Sequence, residues 1–122
     1  VRREVRDLWV AALRSGEFAR TTGKLTRVDE EGRPYGYCCL GVLCEVAVRA
    51  GLELQVSDDV VLGARWYAGV DDFLPREVVD WADLPALDPL VTYDRMELSL
   101  STVNDDYRPS FSAIATAIEE LL

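Results

Sequence analysis

The chain reads as a small α+β domain: a buried central helix, N- and C-terminal amphipathic helices packed around it, and a short antiparallel hairpin or small sheet. Three observations predict this. The run from Tyr37 to Val48 holds a single charged residue, Glu45, and all three cysteines, Cys38, Cys39 and Cys44. A helix that is apolar nearly all round must be covered on more than one side. Arg3 to Ser15 places Val5, Leu8, Trp9, Ala12 and Leu13 at three- and four-residue steps, and Phe111, Ile114, Ala115, Ile118, Leu121 and Leu122 repeat that spacing near the other end. Between the helices lie short extended runs punctuated by turn residues.

In chain order, the first helix is expected to stop at Gly16, with Trp9 as a core anchor. Thr21 to Tyr37 reads as a hairpin: Leu25, Thr26 and Val28 on one strand, Tyr35 and Tyr37 on its return, and Asp29-Glu30-Glu31-Gly32 as the turn. Pro34 confines the return strand to an edge or a flank. The central helix is expected from Cys39 to Ala50, with Gly51 as its stop. Gly41 costs helix propensity, roughly 1 kcal/mol, which close approach by another element would explain. Leu52 to Val56 alternates as a half-buried strand, and Val60 to Leu62 opens an extended piece ending near Trp66-Tyr67. Leu74-Pro75 opens a short helix to Ala82. Val91 to Leu100 is ambiguous: Met96, Leu98 and Leu100 alternate as a strand does, whereas Leu98 to Asn104 suits a short helix. Asn104 to Pro109 reads as a turn, and Ser110 as the N-cap of the last helix.

A chain of 122 residues suits one domain with one core. Its formal net charge of -9 opposes direct binding to nucleic acid backbones and to anionic membranes. No stretch approaches the ~20 apolar residues of a membrane span. The charged start, Val1 to Asp7, lacks the apolar core of a secretory signal. Three cysteines, two of them adjacent, make a poor disulfide framework and point to reduced thiols. The expected location is therefore cytoplasmic.

The chemistry is bounded by an absence: the chain has no histidine, which removes the usual general base and the commonest metal ligand. Adjacent Cys38 and Cys39 aim poorly at one zinc ion. Core thiols are favoured, with a reactive thiol at the start of the central helix as the competing reading. Phosphate-cradling glycine patterns are missing. No catalytic residue, metal or cofactor is expected. Asp58-Asp59, Asp71-Asp72 and Asp105-Asp106 invite a metal-assisted reading but suit surface turns better. Arg65, Trp66, Tyr67, Arg95, Tyr107 and Arg108 have the composition of a site for a planar anion, in which rings stack and guanidinium groups hold phosphate.

Two segments resemble a loose group of small proteins encoded by actinobacterial phages and prophages, mostly without an assigned activity. One is Trp9 to Phe18 followed by Tyr37-Cys38-Cys39-Leu40-Gly41-Val42-Leu43-Cys44. The other is Val103-Asn104-Asp105-Asp106 with Ser110 to Ala115 and Ile118-Glu119. The resemblance implies an accessory role in a phage or mobile-element setting and transfers no catalytic residue.

The leading expectation is a non-enzymatic, phage-type accessory protein that binds a host component, most simply a basic protein, through an acidic and aromatic face. Asp71, Asp72 and Phe73 in one loop, and Asn104, Asp105 and Asp106 in another, are the candidate partner-binding residues. The alternatives are a small-ligand binder for a nucleotide-like anion, a metal-assisted hydrolase on clustered carboxylates, and a structural or assembly component. Oligomeric state is left open, a dimer included.

Overall fold

A computed structural model describes residues 1–121. Helix α1 (Arg3–Arg14) buries Val5, Trp9, Val10 and Leu13, leaving Leu8 exposed. Gly16, at φ 78°, follows its end. Helix α2 (Cys39–Arg49) has eight buried residues and is the core helix the sequence predicts. Helix α5 (Phe111–Leu121) lies along α1, and the Ser110 hydroxyl caps its first turn by accepting from the Ala113 amide at 3.1 Å. Its stripe is formed by Ile114, Ala115 and Ile118. The Leu121 side chain and Leu122 lie outside the described residues.

Four short strands form an antiparallel sheet in the order β2-β1-β4-β3: β1 (Thr26–Val28), β2 (Pro34–Tyr37), β3 (Val56–Asp59) and β4 (Ala64–Tyr67). The expected hairpin is β1–β2, with Pro34 on the edge strand. Its turn is organised by the Asp29 carboxylate, which accepts from the Glu31 and Arg33 amides at 3.0 and 2.9 Å. A second hairpin, β5 (Leu90–Tyr93) and β6 (Met96–Ser99), turns through Asp94 and Arg95 at positive φ. Helix α3 (Arg76–Ala82) starts after Pro75, as expected.

Three local expectations change. Leu52 to Gln55 is not a strand: the Leu52 amide donates back to the Ala47 carbonyl at the end of α2, and the ladder begins only at Val56. Leu52 and Leu54 still pack on the core, so their alternation reports burial without strand pairing. Val60 to Leu62 is not extended but forms the β3–β4 turn, held by the Asp59 carboxylate accepting from the Val61 and Leu62 amides at 3.1 and 3.0 Å. The ambiguity at Val91 to Leu100 resolves into both forms. Strand β6 runs directly into the short helix α4 (Leu100–Thr102), which widens into a π-helical turn over Val103–Tyr107, where a simple turn was expected.

Gly41 locks the layers together. A Cβ there would lie 1.8 Å from the Leu25 carbonyl oxygen, so the chain entering β1 crosses α2 backbone to backbone. Leu25, itself buried, accepts from the Cys38 amide at 3.0 Å and donates to the Asp71 carbonyl at 2.8 Å. The close approach that Gly41 called for is this crossing.

Candidate functional site

The site forms around the N-terminus of α2. The first amides of a helix have no partner within it. Here the Cys38 sulfur accepts from the Gly41 amide at 3.3 Å, and the Asn104 Oδ1 accepts from the Cys39 amide at 3.1 Å. The Asn104 side-chain amide donates to the Thr21 carbonyl at 3.0 Å and to Asp105 Oδ1 at 2.8 Å. The π-helical turn thus holds Asn104 at the start of α2, where it is wholly buried, and Asp105 beside it nearer the surface.

Above this floor lies a small cleft of about 160 Å³. Lys24, Cys38, Asp72, Phe73, Ser101 and Asp105 line it. Lys24 is committed to Asp71 at 2.6 Å. Asp105 Oδ2 accepts from the Gly23 amide at 3.2 Å. Asp72 accepts from the Phe73 amide at 2.8 Å and helps set that loop, leaving the Phe73 ring 44% exposed. Ser101 donates both its amide and its hydroxyl to Asp88.

The electrostatics of the cleft decide its chemistry. Burial pushes the Cys38 thiol up to about 12, and Asp105 and Asp88 push in the same direction. The Gly41 and Leu40 amides pull the other way and lose. Cys39 and Cys44 are also raised well above the ordinary thiol value, again chiefly by burial. The thiol in the cleft is therefore protonated at neutral pH and serves as a cap, which corrects the reading of a helix-activated thiolate. Two carboxylates, Asp72 and Asp105, line the cleft beside Lys24, whose charge Asp71 takes up.

Two of the loops singled out in the sequence therefore meet: Asp72 and Phe73 from one, Asp105 from the other. Asp106 is exposed beside them, and Asp71 is turned onto Lys24. Asn104 was expected on the binding face but is a buried fastener. Its bond to Cys39 spans 65 positions, so no local pattern announces it. Lys24 and Ser101, also in the cleft, were not singled out as site residues; the only signal at Lys24 was its being the chain's one lysine.

The six residues proposed for a planar anion do not assemble. Tyr67 is completely buried and donates to Glu45 at 2.8 Å. Arg65 is clamped by Asp58 and Glu45, each at 2.7 Å, and its hydrogen bond to Asp58 is the main cause holding its pKa above the ordinary value. Trp66 lines a shallow groove with Asp58, Asp59 and Val60. Arg95 sits in the β5–β6 turn, and Tyr107 packs edge-on against Tyr93 with centroids 5.6 Å apart. Arg108 lines a different groove, beside Arg14 and Arg20. Of the carboxylate pairs, Asp58 and Asp71 are held in ion pairs, Asp59 holds a turn, and Asp72 and Asp105 border the cleft; no group of three or more His, Cys, Asp or Glu among the described residues is placed to hold a metal ion.

No described helix is long and apolar enough to cross a membrane. No curated protein and no solved structure matches the chain. The chain matches the family described as Domain of unknown function (DUF8296) over residues 1–122, and it belongs to that family.

Proposed function

We propose that this DUF8296 protein is a non-enzymatic binding module that captures a basic partner protein through the cleft over the start of α2. The observation that carries the reading is the convergence of Asp72, Phe73 and Asp105, from two separate loops, on one concave spot. At about 160 Å³ the cleft falls below the ~300 Å³ at which sites for free small ligands begin. It suits one inserted side chain. A lysine or arginine there would meet Asp72 and Asp105 and lie near the exposed Phe73 ring, combining charge attraction with a cation–π contact. The accessory setting follows the resemblance to actinobacteriophage proteins, and within it the partner is a host protein in the cytoplasm.

The test is a comparative capture from a native actinobacterial lysate, with wild type and an Asp72→Asn/Phe73→Ala double variant as baits. The reading expects a basic protein that is retained by wild type, released by salt and lost from the variant. Equal retention by both baits would remove the cleft from the interaction. Small anions copurifying in place of a protein would favour the ligand-binding alternative.

A further inference from the structure

We infer that the groove between the end of α1 and the start of α5 is an oxyanion site, recognising a phosphate group through Arg20 and Arg108. The groove measures about 410 Å³ and is bordered by Arg14, Phe18, Arg20, Arg108 and the turn Ser110-Phe111-Ser112. It is separate from the acidic cleft, and the inference does not depend on what that cleft binds.

Two guanidinium groups meet here, and neither forms an ion pair with a carboxylate among the described residues, Asp105 acting on Arg20 only from beyond contact. Arg20 lies over the Phe111 ring at 4.8 Å and donates one terminal nitrogen to the Pro109 carbonyl. Its Nε is buried with no partner. Burial lowers its pKa from the ordinary arginine value and repulsion from Arg108 acts in the same direction, while Cys39 and Asp105 act against it. Arg108, at φ 54°, spends its Nε on the Asp105 carbonyl at 2.7 Å. Its terminal nitrogens have no partner among the described residues. Arg14 is different: it is taken by Glu119 at 2.6 Å and Thr116 at 3.0 Å.

The backbone adds donors of the same sign. Ser110 caps the Ala113 amide, while the Phe111 and Ser112 amides at the positive end of this eleven-residue helix have no acceptor among the described residues. In a protein of net charge -9, this local surplus of donors favours a compact anion that can accept from both guanidinium groups at once. A phosphate group does so, whether free or carried on a small ester. The ligand's charge would relieve the Arg20–Arg108 repulsion, which none of the described residues does by direct pairing.

The experiment is a 15N NMR titration of the full chain with inorganic phosphate, and separately with phenyl phosphate, at constant ionic strength balanced by chloride. Saturable shifts at the Arg20 Nε–H and at the Phe111 and Ser112 amides support the site. Tighter binding of phenyl phosphate assigns it to an ester, and tighter binding of inorganic phosphate to the free ion. Arg108→Gln is expected to weaken binding about tenfold, the scale of one lost charge-assisted contact. Arg20→Lys keeps the charge, loses the fork and is expected to weaken binding as well. Arg3→Gln, outside the groove, leaves it unchanged. Shifts that rise linearly without saturation, or that persist undiminished in both Arg108→Gln and Arg20→Lys, would overturn the inference.

Discussion

Gly41 and Asn104 show how much of this fold rests on single side chains, or on the absence of one. A methyl group at Gly41 would meet the Leu25 carbonyl oxygen at 1.8 Å. Backbone cannot swing aside as a flexible side chain does, so Gly41→Ala is expected to cost about 3 kcal/mol in urea unfolding. Asn104→Leu removes the partners of the buried Cys39 amide and the Thr21 carbonyl. Unsatisfied buried groups of this kind predict a loss of about 2–4 kcal/mol. The two residues also differ in legibility. A glycine in the first turn of a long apolar helix already asks for a close neighbour. Asn104 sits in Asn104-Asp105-Asp106-Tyr107-Arg108-Pro109, a composition that looks like an exposed turn. Only its distant partners, the Cys39 amide and the Thr21 carbonyl, make it a core residue.

At the level of elements, periodicity located helices α1, α2 and α5 because each must bury a face, and burial writes its spacing into the sequence. Ile118 is fully buried in α5 where that helix lies along α1. Ile118→Ala is therefore expected to cost about 2–5 kcal/mol by chemical denaturation. The exposed Arg14–Glu119 pair spans the same two helices, and its removal should have a small effect that fades with salt. The strands were less legible. Leu52 and Leu54 alternate as a strand does, yet the Leu52 amide is consumed by the end of α2, and only the Gln55 carbonyl, which accepts from the Ala68 amide at 2.7 Å, reaches the edge of the ladder. Val60, Val61 and Leu62 have strand composition but form a turn, because the Asp59 carboxylate takes two of their amides and Val61 is left 91% exposed. Side-chain pattern reports which residues face the core. It does not report where the amides go.

For the whole molecule, burial of ionisable groups sets the response to pH. In the fold Cys38 rises from an ordinary value of 9.0 to about 12, so the folded state holds its proton where the unfolded chain releases it. The folded chain then binds more protons than the unfolded one, and stability falls as pH increases. The contribution is fully present below pH 9 and is lost between about pH 9 and pH 12. Tyr67 and Tyr37 are also raised, mainly by burial, and steepen the loss at the alkaline end. Unfolding midpoints measured from pH 7 to pH 11 should be steady at first and then fall above pH 9. The candidate site also belongs to this scale. Asp72-Phe73 and Asp105 were each noticeable in the sequence as acidic or aromatic loop residues, but their meeting depends on the Leu25 crossing and on the π-helical turn. Gly41 announces the crossing without naming its partner, and the π-helical turn leaves no local signature.

The central claim is that α2 is a sealed scaffold whose capping thiol forms the inert floor of a binding cleft. Native-state labelling with a bulky thiol reagent at pH 8, residue by residue and across a urea series, tests it most directly. Cys38, Cys39 and Cys44 should all stay unmodified until the urea concentration at which the chain unfolds, and should then react together. Rapid modification of Cys38 in the folded protein, ahead of Cys39 and Cys44, would contradict it and return the cleft to thiol chemistry.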